Sequence, residues 1–114
     1  MKFREYSIKA QETAKYPTDG FLGLSYTALG LNGESGEVAE KVKKLIRDGG
    51  SRDIESLIAE HRWEIAKELG DVLWYLSALC NELGVSLEEV ASLNVEKLRS
   101  RQLRGVLGGS GDSR

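Results

Sequence analysis

Glu64-Ile65-Ala66-Lys67-Glu68-Leu69-Gly70-Asp71-Val72-Leu73-Trp74-Tyr75-Leu76 is the stretch on which the fold turns. Its apolar residues recur at steps of three and four: Ile65, Leu69, Val72 and Leu76, continued by Leu79 and Leu83. That spacing lays them along one side of an α-helix. At about 100° per residue, Glu68 and Asp71 fall together on the flank of this stripe, neither in the core nor on the far solvated face. Two carboxylates so placed repel each other unless a cation sits between them. A hard divalent ion fits, because Mg²⁺ prefers carboxylate oxygen and keeps several waters. An isolated pair of this kind can equally mark the polar boundary of a core helix. A second acidic pair upstream shifts the balance.

That pair lies in Gly33-Glu34-Ser35-Gly36-Glu37-Val38-Ala39-Glu40-Lys41. Phe21 to Arg47 reads as one long helix, with Leu24, Thr27, Leu31, Val38, Val42 and Leu45 on one face. Glu34, Glu37 and Lys41 flank that face as Glu68 and Asp71 flank theirs. If the two helices pack antiparallel through their stripes, four carboxylates converge at the edge of the seam. Such a cluster is costly without a metal, since close like charges raise one another's pKa. With one or two Mg²⁺ it becomes a Lewis-acid site for a phosphate substrate. The helix also carries Gly23, Gly30, Gly33 and Gly36. Each costs up to about 1 kcal/mol against alanine in a helix interior. Their presence predicts close helix approach, or a distortion near Gly33 to Gly36.

The rest of the chain falls into place around this pair. Phe3 to Lys15 reads as a first helix and Tyr16-Pro17-Thr18-Asp19-Gly20 as a turn. Asp48-Gly49-Gly50-Ser51 ends the second helix. Arg52 to Leu83 is helical in pattern, with a change of phase around His61, and Gly84 is its stop. Ser86 and Glu89 fit a capping box that opens a fourth helix, Leu87 to Arg104, with Val90, Leu93, Val95 and Leu98 as its apolar side. Residues 105–114 hold four glycines and two serines and read as a flexible tail. Its glycines would also let backbone amides approach a phosphate, with Arg114 in reach of an anion. The expectation is an all-α bundle of four or five helices: one helical domain over residues 1–104 and a Gly-rich tail over 105–114.

Composition narrows the function. The chain has 114 residues, room for one core, and a net charge of −2, which gives no reason to expect nucleic acid or an anionic membrane as partner. Cys80 is the single cysteine and lies near the core stripe, so a buried free thiol in a reducing compartment is expected. No apolar run is long enough to span a bilayer and no secretory signal is visible, so a soluble, cytoplasmic protein is expected. There is no G-x-x-x-x-G-K-[ST] loop. His61, the only histidine, has Ile58 three residues before it, so the Glu-x-x-His pattern of di-iron bundles is absent and His61 reads as a surface residue.

Glu34-x-x-Glu37, a spacer, then Glu68-Leu69-Gly70-Asp71-Val72-Leu73-Trp74-Tyr75 resembles the E-x-x-E…E-x-x-D signature of the MazG-like all-α nucleoside triphosphate pyrophosphohydrolases. Asn94-x-x-Lys97-Leu98-x-x-Arg101 looks like that family's N-x-x-K-L-x-x-R segment. The likeness covers roughly residues 22 to 104. It departs at Gly33, where relatives often carry an acidic residue. The resemblance implies hydrolysis of a nucleoside triphosphate to a monophosphate and pyrophosphate. Glu34, Glu37, Glu68 and Asp71 would bind Mg²⁺, with Mn²⁺ as a substitute, and either Glu34 or Glu37 would serve as base. Asn94, Lys97 and Arg101 share one face of the fourth helix and would grip the triphosphate; Arg104, Lys41 and Lys44 could join them. Tyr75, one turn after Asp71, could stack on a base, while Trp74 fits core or interface. The small core and the glycine-bearing helix predict a homodimer or homotetramer. The competing expectation is a non-catalytic helical interaction module whose acidic seam sets pairing specificity.

Overall fold

The computed structural model describes every residue from Met1 to Arg114. It contains four α-helices and no strand: α1 (Phe3–Gln11), α2 (Phe21–Asp48), α3 (Ile54–Leu83) and α4 (Leu87–Leu103). The all-α expectation is met. None of the helices is long and apolar enough to cross a membrane.

The long helices α2 and α3 form an antiparallel hairpin. Gly23 lies against Glu82, Gly30 against Tyr75, Lys41 against Glu68 and Gly49 against Leu57, so position falls along α3 as it rises along α2. Local chemistry fixes the ends of α3. Asp53 caps it by accepting from the Ser56 amide at 2.9 Å, so the helix starts at Ile54 rather than Arg52. It runs unbroken through His61, without the expected change of phase. Gly84 ends it at φ 68°, a left-handed conformation that glycine adopts without steric cost. The Val85 amide then donates to the Cys80 carbonyl and the Gly84 amide to the Asn81 carbonyl, which satisfies two of the orphaned helix-end acceptors. The Ser86–Glu89 capping box forms as read from the sequence.

One expectation about helices needs correction, and one pair of alternatives is decided. α1 ends at Gln11, not Lys15. Thr13 is the reason: its hydroxyl donates back to the Ala10 carbonyl at 2.7 Å and accepts from the Trp74 indole N–H at 2.8 Å. A side chain that bonds the backbone and is held by a distant partner competes with helix continuation. α2 is not distorted near Gly33 to Gly36. The close approach is at Gly23 and Gly30, where an added Cβ would strike the Glu82 carboxylate and the Tyr75 ring; at Gly33 and Gly36 it would meet nothing.

α1 lies across α3, joined by Ser77 donating to Ser7 at 3.1 Å and Asn81 donating to Gln11 at 2.6 Å. α4 packs chiefly on α1. The core is thin. Thr27, Ser77, Ala78, Cys80, Leu57, Leu87 and Tyr16 are buried, and burial pushes the Cys80 thiol up. The stripe on α3 is only partly covered: Leu69 and Leu83 remain 51% and 59% exposed, against the expectation that they are core. The accessible surface is 8366 Å². A compact monomer of this mass exposes about 6,200 Å².

Candidate metal and nucleotide site

Glu34 on α2 and Glu68 and Asp71 on α3 meet on one edge of the hairpin. One carboxylate oxygen from each lies within 4.8 Å of the other two. The sequence arranges this in two steps. Glu68 and Asp71 share a helix flank by their three-residue spacing. Gly30, one turn before Glu34, lets the Tyr75 ring lie on the α2 backbone and so draws the helices together beside the carboxylates. Glu34 is half-buried, and its carboxyl is pushed above the ordinary range by burial first, then by the charges of Asp71, Glu68 and Glu37. Lys41 supplies one compensating cation, 3.4 Å from Glu68. The donors are all oxygen, which suits a hard cation. Oxygens on a Mg²⁺ stand about 3.0 to 4.2 Å apart, a spacing that falls inside the limit of this trio.

Glu37 is exposed one turn further along α2 and lies outside the trio, acting on Glu34 through its charge. Tyr75 belongs to an aromatic cluster next to the acids. Its ring stands 6.4 Å from Tyr26 and 4.9 Å edge-on from Trp74, and Tyr16 stacks on Tyr26 at 5.2 Å. The Tyr75 hydroxyl is pushed up by burial and Tyr26, and further by Glu34 and Asp71. Trp74 packs inside the chain, edge-on to Tyr16 and bonded to Thr13. Sequence reasoning passed over Tyr26, although Tyr26, Gly30, Glu34, Glu37 and Lys41 follow one another at helical steps along one face. It also passed over Tyr6, which α1 brings near enough to Asp71 for burial and that charge to push its hydroxyl up. No local signal marks Tyr6.

The cations of α4 are placed differently from the acids. No hydrogen bond or ion pair joins Lys97 or Arg101 to Glu34, Glu68 or Asp71. Asn94 is exposed. Arg101, which shares a helix face with Asn94 and Lys97, is buried, because the tail folds back over it. Its Nη2 donates to the Asp112 carboxylate at 3.0 Å and to the Asp112 and Gly111 carbonyls at 3.1 and 3.4 Å. Lys97 approaches the same carboxylate at 3.5 Å, and Arg104 donates to the Arg114 carbonyl at 2.8 Å. Residues 105–114 are thus clasped to α4 rather than free of it.

A cleft of about 220 Å³ continues the seam beyond Lys41 toward the hairpin tip, with Lys44, Arg52, His61 and Glu64 in its wall. His61 sits half-buried there, its Nδ1 3.3 Å from Glu64.

The MazG nucleotide pyrophosphohydrolase domain matches residues 23–105, which include both acidic motifs and the Asn94-to-Arg101 segment. The chain is 47% identical over 113 residues to the Gene 37 protein of Mycobacterium phage L5, covering 96% of each chain. It is 39% identical over 70 residues to the uncharacterized protein YvdC of Bacillus subtilis (strain 168), covering 60% of this chain and 65% of that one. No solved structure matches it. Sequence signature, helical architecture and the domain match agree, and the chain belongs to the MazG nucleotide pyrophosphohydrolase family.

Proposed function

We propose that this protein is a Mg²⁺-dependent nucleoside triphosphate pyrophosphohydrolase. The observation that carries the reading is the oxygen trio of Glu34, Glu68 and Asp71 beside an aromatic cluster, in a chain of this family. Glu34, Glu68 and Asp71 would hold the metal, and Mn²⁺ has the same preference for such oxygens. When bound, the ion neutralises phosphate oxygens and lowers the pKa of a coordinated water.

The chain's own groups do the rest. Glu37 stands beside the trio but outside it, so its carboxylate is free to take the proton of the attacking water. Water adds at the α-phosphorus, the bond to the bridging oxygen breaks, and pyrophosphate leaves with the monophosphate as second product. Lys41, already at Glu68, meets the charge that develops on the phosphates. Tyr75 and Tyr26 offer ring faces to the base. Glu34 stays a ligand rather than the base, because it contributes one of the three converging oxygens.

The protein works as a homodimer or homotetramer in this reading. Exposed Phe21, Leu29, Ile46 and Trp63 and the excess surface need covering. The radius of gyration, 17.4 Å, also exceeds the roughly 13 Å of a compact chain of this length.

The decisive experiment measures pyrophosphate release from a panel of ribo- and deoxynucleoside triphosphates, with and without Mg²⁺. Metal-dependent release that disappears in Glu34→Gln supports the reading. Absence of release from every nucleotide favours a non-catalytic interaction module.

A further inference from the structure

We propose that the cleft at the hairpin tip takes the second nucleoside of a dinucleoside polyphosphate, so that the protein acts on nucleotides capped at their far phosphate as well as on free triphosphates. The inference begins with order along α2. Tyr26, Gly30, Glu34, Glu37 and Lys41 follow one another at helical steps, and Lys44 and Asp48 carry the same row into the cleft. The row therefore runs from the aromatic cluster, past the carboxylates and Lys41, to the tip. At about 1.5 Å of rise per residue, Lys41 lies about 10 Å beyond Glu34, and Leu45 about 16 Å. With its base on the tyrosines and its α-phosphate at the trio, a triphosphate has only two P–O–P links left to extend. It ends at or before Lys41 and does not reach the cleft.

The walls of the cleft show what fits there. Its volume is about 220 Å³. Sites that enclose a whole drug-sized ligand start near about 300 Å³, so this one suits a single flat ring system. Leu45 and Leu57 supply apolar surface, and Gly49 lets a Leu57 methyl lie where a Cβ would stand. His61 is half-buried and adds a planar ring. Asp48 and Glu64 add carboxylates, which repel a phosphate but accept from the amino and ring N–H groups of a base. Lys44 and Arg52 add donors for its carbonyls. These groups are only lightly engaged with one another. His61 Nδ1 is 3.3 Å from Glu64, and Lys44 is 3.8 Å from Glu40. Exposed pairs of this kind contribute little and exchange readily. Ring, leucines, donors and acceptors together match a nucleobase, which carries all four complements in one plane.

This assignment rests on the pyrophosphohydrolase reading above and adds a second substrate class to it. In a dinucleoside tetraphosphate the fourth phosphate passes Lys41 and places its nucleoside at the tip, while Lys41 and Lys44 meet the chain between. The water oxygen joins the α-phosphorus at the trio, and its proton passes to Glu37. The bond from that phosphorus to the bridging oxygen breaks, and its electron pair stays on the departing phosphate. The products are one nucleoside monophosphate and one nucleoside triphosphate, and the triphosphate is itself a substrate.

The test compares a dinucleoside tetraphosphate with the mononucleoside tetraphosphate of the same base, which has the same chain and lacks only the second nucleoside. Turnover in Mg²⁺ is followed by chromatography of the products. Binding is followed by calorimetry, with a methylene group in place of the α,β-bridging oxygen of each compound. The capped compound should show a KM and a Kd lower by about 10-fold, as expected for one stacked base. His61→Ala and Glu64→Ala should each remove most of that difference and leave turnover of the nucleoside triphosphate at the wild-type rate, which also shows that both variants fold. If the wild type treats the two tetraphosphates alike but hydrolyses triphosphates, the proposal falls and the pyrophosphohydrolase reading stands. If the capped compound is preferred but neither variant changes the preference, the second nucleoside lies elsewhere and the proposal falls. If calorimetry gives the expected pattern but no nucleotide is hydrolysed, the cleft assignment stands and the pyrophosphohydrolase reading falls.

Discussion

Replacing Asp71 by asparagine keeps shape and hydrogen-bonding capacity but removes one charge from the trio. The oxygens of Asp71, Glu34 and Glu68 stand within 4.8 Å of one another. Two unit charges at that outer limit repel by about 0.9 kcal/mol in a water-like dielectric and about 3.5 kcal/mol at an effective value near 20. Asp71 is exposed, so the lower figure governs. Relief from two neighbours then stabilises the metal-free protein by about 1 to 2 kcal/mol. For a chain of this length that raises Tm by about 4 °C per kcal/mol. The carboxyl of Glu34, held up in part by Asp71, should move back toward its ordinary range in a carbon-detected NMR titration. Activity should move the other way. Loss of a group one shell out from a metal already costs about 10- to 100-fold, so loss of a direct ligand should cost at least about 100-fold in kcat/KM at limiting Mg²⁺. Calorimetric melting in EDTA and a pyrophosphate-release assay read the two effects on one preparation. A packing defect would lower both stability and activity. Wild-type turnover by Asp71→Asn at limiting Mg²⁺ would refute the argument that the trio is a metal site.

Three further predictions follow from other parts of the molecule. Millimolar Mg²⁺ should raise Tm by mass action on the folded state, most with a non-hydrolysable nucleotide present; a melting curve unmoved in both conditions counts against metal binding. Gly30→Ala should lower Tm by overpacking against Tyr75, a cost of about 1 to 3 kcal/mol, whereas Gly36→Ala, which meets nothing, should raise stability by up to about 1 kcal/mol through helix propensity. Equal effects from the two would show that the Gly30–Tyr75 approach is unimportant. Ser86→Ala should cost about 1 kcal/mol by removing the α4 cap. The Ser86 amide and hydroxyl hold Glu89 below the usual carboxylate range. The cap should therefore be intact above the ordinary glutamate value and be lost as pH falls through the depressed one, seen as exchange of the first-turn amides of α4.

What could be read from the sequence was what depends on spacing. Glu34, Glu68 and Asp71 were placed on helix flanks by counting, and an antiparallel hairpin brings together whatever two flanks share. The Ser86–Glu89 box is complete within four residues and needs no tertiary knowledge. What could not be read depends on a partner far along the chain. α1 stops early because Thr13 is held by Trp74, 61 residues away. Arg101 turns from an outward grip into a buried post because Gly111 and Asp112 return to it, and composition alone shows that stretch only as rich in glycine. Leu69 and Leu83 fit the stripe by period but stay open to solvent, because a single chain does not cover the hairpin.

The glycines of α2 bring both kinds of information together. The sequence left close approach and distortion as alternative reasons for them, and the structure divides the set. Gly23 and Gly30 are explained by Glu82 and Tyr75. Gly33 and Gly36 are explained by neither packing nor bending, since α2 is regular there and an added Cβ would touch no atom of the chain. Both nonetheless reduce helix propensity. They stand on either side of Glu34, with Glu37 immediately after Gly36. At about 100° per residue, Gly36 lies about 160° round the helix from Glu34 and Gly33 about 100°, so neither faces the trio as Glu34 does. Open space at a glycine is thus a different fact from a close approach, and of the four positions only Gly23 and Gly30 have a contact that requires the missing side chain.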